Sequence, residues 1–147
     1  MAENRILIAD DNEANRDLIE AYLANIDCVL EQAVDGEDAL EKVKSFEPDL
    51  ILLDVMMPKQ SGFEVCQQVK EDAATSGIMV LMVTALNELG DIERAVQAGT
   101  DDFLSKPIDK YQLLKRVENM LKLKTTADEL ERLRAYIREM ENQAEVG

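Results

Sequence analysis

The sequence predicts an α/β fold: a doubly wound five-stranded parallel sheet in the order 2-1-3-4-5, with helices on both faces and a C-terminal helical extension. Three observations lead there. Five short apolar runs alternate with five stretches of helical period, the mark of strands joined by crossover helices. The central run, Leu50-Ile51-Leu52-Leu53, lies between Pro48 and Met57-Pro58 and is aliphatic throughout, as a strand buried on both faces should be. Strands one, three and four are almost purely apolar, whereas two and five carry Glu31, Gln32, Asp102 and Ser105, which suits edge positions and selects that order.

In chain order, Ile6-Leu7-Ile8-Ala9 is the first strand. After Asp10-Asp11-Asn12 a helix places Leu18, Ile19, Tyr22, Leu23 and Ile26 at helical spacing. Cys28 to Val34 is the second strand, and Asp35-Gly36 turns it into a helix carrying Leu40, Val43 and Phe46 on one face. The third strand ends at Asp54. Past Pro58 and Ser61-Gly62 its helix turns Phe63, Cys66 and Val69 inward. Ile78 to Val83 is the fourth strand, ending at Thr84-Ala85. The helix after it is expected to bury Leu89, Ile92 and Val96 and to close at Gly99, a glycine in the place of a left-handed cap. Asp102 to Ser105 is the fifth strand, running into Lys106-Pro107, and Asp109 with Gln112 three residues on reads as the capping pair of the last helix.

Composition narrows the function classes. The chain has 147 residues, the size of one domain with a little left over. With 31 acidic against 16 basic residues its net charge is -15, which argues against nucleic acid or an anionic membrane as a direct partner and favours proteins or cations. Cys28 and Cys66 have no neighbours at metal-ligand spacing and read as reduced thiols, so a cytoplasmic location is expected. No apolar stretch approaches the ~20 residues of a membrane span. There is no histidine, which excludes a Ser-His-Asp triad, a histidine-ligated metal and a phosphohistidine of the chain's own.

The order 2-1-3-4-5 makes strands one and three neighbours at the topological switch point, so Asp10 and Asp11 should sit beside Asp54 at the carboxyl edge. Three such carboxylates repel by about 3 kcal/mol per pair at about 5 Å and an effective dielectric of about 20, so the arrangement calls for a cation. All-oxygen donors favour Mg²⁺ before Ca²⁺. Thr84 ends strand four with a hydroxyl and Lys106 ends strand five with an ammonium, both directed to the same edge and suited to a phosphoryl group. Asp54 is then a candidate nucleophile forming an aspartyl phosphate. Singly, each residue has a plainer role: Asp10-Asp11 as a helix cap, Thr84 as a turn residue, Lys106 as an edge guard, Phe103 as edge-strand filler. Their joint placement at four successive strand ends carries the chemical reading.

Asp10-Asp11, Asp54-Val55-Met56-Met57-Pro58, Thr84-Ala85, Ala98-Gly99 and Lys106-Pro107 together resemble the receiver domain of two-component response regulators over roughly residues 4 to 124. The resemblance implies a phosphorylation-dependent signalling receiver, catalysing only its own phosphoryl transfer and dephosphorylation. Asp54 takes a phosphoryl group from the phosphohistidine of a sensor histidine kinase or phosphotransfer protein. It further implies Asp11 and Asp54 as direct Mg²⁺ ligands, Asp10 as a ligand through water, the backbone carbonyl of Met56 as another, and a cis Lys106-Pro107 peptide. Thr84 and Phe103 match the switch pair. Met56 and Leu86, two past the phosphoacceptor and two past the threonine, border the path of the hydrolytic water in that family. Both are apolar here, so slow self-hydrolysis is expected.

The chain divides into a receiver, residues 1–124, and a helical, coiled-coil-forming extension, residues 125–147, with no DNA-binding, cyclase or hydrolase domain expected after it. Leu123, Thr126, Leu130, Leu133, Ile137, Met140 and Ala144 follow one another at spacings of 3, 4, 3, 4, 3 and 4, a heptad seam flanked by Glu129, Glu131, Arg132, Arg134, Arg138 and Glu139. A parallel two-stranded homodimer through the last helix and tail is the expectation. Because Leu113, Val117 and Met120 are out of phase with the seam, the helix should slip or break near Thr125-Thr126. Other classes fit less well. A haloacid-dehalogenase-type phosphatase needs a second acid where Met56 stands, and a nucleotide or flavin binder needs a phosphate-cradling loop where Asp10-Asp11-Asn12-Glu13 would repel phosphate. An adaptor acting mainly through the coiled coil, or the receiver part of a larger output protein, are the remaining alternatives.

Overall fold

The computed structural model describes residues 4–85 and 89–146, with side chains described to residue 143 apart from that of Leu89. Its elements run β1 (Asn4–Ala9), α1 (Glu13–Tyr22), β2 (Cys28–Ala33), α2 (Gly36–Phe46), β3 (Leu50–Leu53), α3 (Gly62–Glu71), β4 (Met79–Thr84), α4 (Leu89–Gln97), β5 (Asp102–Ser105) and α5 (Lys110–Val146). All strand pairs are parallel and the order is β2-β1-β3-β4-β5, as the sequence predicts.

The sheet's period of two sorts its side chains into two cores. Leu7, Ala9, Ile51, Leu53, Val80 and Met82 face the layer that holds Val43, Phe63, Cys66, Val69, Ala95 and Ala98, so α2, α3 and α4 share one side. Ile6, Ile8, Leu50, Leu52, Leu81 and Val83 face Ile19, Leu23, Leu113, Val117, Met120 and Leu121, from α1, the turn after it and α5. Each residue of β3 is buried whichever way it points, which is why an unbroken aliphatic run was needed there.

Local chemistry sets the helix starts. Asn12, Asp35 and Ser61 each accept a hydrogen bond from the backbone N–H three residues on, and Asp109 accepts one from Gln112. After α4, Gly99 adopts φ +89°, and its N–H reaches the Val96 carbonyl at 3.0 Å while that of Thr100 reaches Ala95 at 3.2 Å.

Two expectations need correction. On α4 and just past its end the buried residues are Ala95 and Ala98, while Ile92 is half-buried and Val96 is 65% exposed. One position along a helix is about 100° of rotation, and the short side chains are the ones turned to the sheet. Leu89 lies outside the described side chains. The predicted slip near Thr125-Thr126 does not occur, since α5 is one helix of 37 residues. The hydroxyls of Thr125 and Thr126 donate to the carbonyls of Leu121 and Lys122, both at 3.0 Å, which fits the β-branched side chains into the helical ladder. One unbroken helix carries both apolar faces, the first buried against the sheet and the second exposed beyond it.

Candidate functional site

The parallel sheet brings its carboxyl ends to one edge. The register pairs Ala9 with Leu53, so the residues just beyond them, Asp10 and Asp54, are adjacent, and the Asp54 N–H donates to the Ala9 carbonyl at 2.9 Å. Asp10 and Asp54 are buried, Asp11 is exposed, and one carboxylate oxygen from each lies within 4.8 Å of the others. Lys106, at the end of β5, sets its Nζ 3.0 Å from Asp54 Oδ2 and 3.2 Å from Asp10 Oδ2. The Lys106-Pro107 peptide is cis. Thr84 ends β4, its side chain buried at the same edge, and its carbonyl accepts the Lys106 N–H at 3.1 Å.

The charges here are mutually adjusted. Burial pushes the Asp10 carboxyl above its ordinary range. The Asn12 N–H at 2.9 Å works against that push, the Asp54 charge with it, and Lys106 against it. For Lys106 burial favours the neutral amine, yet the hydrogen bond and charge of Asp54, with Asp10 behind them, outweigh it and hold the ammonium above its ordinary value. The pocket is built to hold positive charge against buried carboxylates.

Met56 has its side chain 74% exposed while its N–H donates to Asp54 Oδ1 at 3.2 Å, so its backbone runs beside the carboxylate. Phe103 stands apart from the acids. It is half-buried on β5, opposite Met82, and packs against the core under α3 and α4. Leu86 lies outside the described residues.

Sequence reasoning missed two supports. Arg16, on the apolar side of α1, is buried and donates from its guanidinium to the Asp10 carbonyl at 2.7 Å and to Gln32 Oε1 at 3.0 Å, fixing the turn that carries Asp10 and Asp11. The available signal was a cation three residues before Ile19 on a face meant for the core. Gly62 packs against the backbone of Asp54 and Val55 so closely that a β-carbon would overlap the Asp54 carbonyl, and its N–H donates to the Val55 carbonyl at 2.9 Å. Nothing local marks that glycine as more than a turn residue, because the contact is made by the chain folding back.

The donor set suits a small hard cation: carboxylate oxygens only, converging from two strand ends, with an ammonium already seated between two of them. Among the described residues no helix is long and apolar enough to cross a membrane.

Comparison with known proteins agrees with this geometry. The sequence profile of the response regulator receiver domain matches residues 6–118. The response regulator PleD of Caulobacter vibrioides is 43% identical over 136 residues, 92% of this chain and 30% of its own length. The DNA-binding dual master transcriptional regulator RpaA of Synechocystis is 42% identical over 80% of this chain and 49% of its own. The chain therefore spans about a third to a half of the length of these curated relatives. Among solved structures, the chemotaxis protein CheY4 of Vibrio cholerae superposes with a TM-score of 0.75 at 28% identity, covering 81% of this chain and 99% of that one. The signal receiver domain of a signal transduction histidine kinase from Syntrophus aciditrophicus gives 0.77 at 28% identity, over 81% of this chain and 90% of that one. With aspartates, threonine and lysine gathered at the carboxyl edge of a 2-1-3-4-5 sheet and a profile match over most of its length, the chain belongs to the response regulator receiver domain family of two-component signalling.

Proposed function

We infer that this receiver takes a phosphoryl group onto Asp54 from the phosphohistidine of a sensor histidine kinase or phosphotransfer protein. One observation carries the reading: Lys106 Nζ, poised at 3.0 Å from the buried Asp54 carboxylate with Asp10 and Asp11 alongside. In the step, an Asp54 carboxylate oxygen forms the new P–O bond as the P–N bond to the partner's imidazole breaks, and the imidazole leaves with its electron pair and takes up a proton. The 147 residues hold no histidine, so the phosphohistidine lies outside them. Asp10, Asp11, Asp54 and the Met56 backbone carbonyl would hold Mg²⁺, whose charge offsets that of the phosphoryl oxygens. Lys106 supplies a second, fixed positive charge on the side of β5, and Thr84 a hydroxyl donor from β4. Phe103, half-buried beside the α3–α4 core, is suited to turn further inward when Thr84 moves towards a phosphorylated Asp54, which makes the pair the switch and the region of β5 and α5 its output.

Receiver 1–124 with extension 125–147 remains our functional division, with α5 running through the join. Strong negative charge supports a protein partner in preference to nucleic acid or an anionic membrane, and a sequence with two cysteines at no metal-ligand spacing supports a cytoplasmic setting.

The test is intact mass after incubation with a small phosphodonor and Mg²⁺. One phosphoryl group should add to the native chain and none to Asp54→Asn. Equal phosphorylation of the variant would move the acceptor elsewhere.

A further inference from the structure

Beyond residue 121, α5 runs outward from the core, with Lys124 still beside Gly77 and Thr126 and Glu129 sharing a groove with Asn4, Ile26 and Asp27, and presents an exposed apolar stripe. Leu123, Leu130, Leu133, Ile137 and Met140 are between 45 and 59% exposed, whereas Met120 and Leu121, just before them, are buried under the sheet. In heptad terms Leu123, Leu130 and Ile137 occupy a, and Thr126, Leu133 and Met140 occupy d. The flanking positions then include Glu129 at g and Arg134 at e. Four other charges of the tail are paired within the helix, Lys124 with Asp128 at 2.8 Å and Arg138 with Glu131 at 3.3 Å, whereas Arg132, Glu139 and Glu141 enter no ion pair among the described residues. Glu129 and Arg134 enter no ion pair among the described residues.

We propose that the stripe is covered by a second copy of this chain, parallel and in register, with Glu129 of each copy paired across the seam to Arg134 of the other. In a parallel two-stranded coil a g residue meets the e residue five positions on in its partner, which is the separation of Glu129 and Arg134, and the symmetry of the dimer makes the pair twice. Antiparallel pairing lacks this match. Seating a against d over the stripe allows two antiparallel alignments. One sets Arg134 by Ala127 and Glu129 by Tyr136; the other sets Arg134 by Arg134 and Glu129 by Gln143. Neither joins opposite charges, and one opposes like charges.

The seam also has a definite upper limit. One and two steps back, its positions are Asn119 and Arg116, and Arg116 is held by the body, with Nε 3.4 Å from the Phe103 carbonyl and 3.8 Å from Asp102 Oδ2. The apolar contact thus begins at Leu123, where the helix clears the sheet. The tail from residue 122 holds five basic and six acidic residues, so nearly all of the net charge of -15 sits on the body. A parallel coil that starts at Leu123 sets the two acidic bodies at the same end, so the seam must hold against their like charge. Pairing through the tail is independent of the chemistry at Asp54.

The experiment is molar mass by sedimentation across a concentration series for the full chain, Glu129→Arg, Arg134→Glu and the double variant. Each single reversal turns two attractive pairs into two repulsive ones and should weaken the dimer by about tenfold or more, and the double reversal should restore it. Met140→Cys, at d, should form a disulfide with its own counterpart under mild oxidation. A full chain that stays monomeric at all concentrations overturns the proposal outright. A dimer indifferent to both reversals, or one in which Met140→Cys crosslinks only to Leu123→Cys, overturns the parallel register while leaving self-association standing.

Discussion

Along α5 one helix serves two environments. Its first half turns Leu113, Val117, Met120 and Leu121 into the core beside Ile6, Ile8, Leu50 and Leu52, while its second half holds Leu130, Leu133, Ile137 and Met140 in solvent. The side chains are alike, so the difference comes from what they meet. The body buries its apolar faces within one chain against a sheet that supplies partners on both sides. The tail is a single amphipathic helix with no second layer among the described residues, so its stripe stands open to a partner surface. Charge divides the same way, with a strongly acidic body around a buried cation-holding site and a nearly neutral tail.

Substitutions should separate the two regions, and the largest effect belongs to the site. Asp11→Ala removes a donor and a charge from the acidic cluster, so Mg²⁺ affinity should fall by at least tenfold and phosphorylation should be lost, while relief of repulsion leaves the fold intact or more stable. A metal titration with undiminished affinity would show that the acids do not act as one site.

Next, equal deletions should cost unequal amounts. Leu52→Ala, in the doubly covered strand, should lose about 2–5 kcal/mol of unfolding free energy. Leu133→Ala, measured below the concentration of self-association, should change it by less than about 0.5 kcal/mol. Similar denaturant midpoints for the two variants would erase the distinction between body and tail.

A smaller effect concerns the lifetime of the phosphorylated state. The exposed, apolar Met56 beside Asp54 offers water no strong hydrogen bond. Replacing Met56 with Asn and Leu86 with Glu should speed loss of the phosphoryl group by about tenfold, read by intact mass over time. Unchanged loss would remove these two side chains from the hydrolytic path.

The smallest effect is a pH slope confined to the body. Burial of Cys66, whose Sγ lies 3.3 Å from the Ala98 carbonyl, pushes its thiol from an ordinary 9.0 to about 11. Between these values the native state keeps a proton that the unfolded chain releases, so this contribution to stability is full below pH 9 and is lost as pH rises to about 11. Cys66→Ala should show a shallower alkaline decline in melting temperature than the native chain, despite a lower starting value. The helical signal of the tail should not follow it. Identical slopes would place the alkaline sensitivity elsewhere.

The sheet order, the element sequence and the members of the site were legible because each rests on local pattern. Aliphatic runs mark buried strands, polar Glu31 and Asp102 mark edge strands, and Asp10, Asp54, Thr84 and Lys106 fall at strand ends that a parallel sheet must align. Tertiary packing decided the rest. Which face of α4 turned inward depended on how closely the helix approaches the sheet, so Ala95 and Ala98 took the place expected of Val96. The contributions of Arg16 and Gly62 arise from contacts with Asp10, Gln32, Asp54 and Val55, some of them set by distant returns of the chain that no local period encodes. The sequence marked the change of phase between Val117 and Leu130 but not its resolution. A phase shift in the apolar pattern records that two faces are to be covered, and only the placement of α5 against the sheet shows that one unbroken helix presents both.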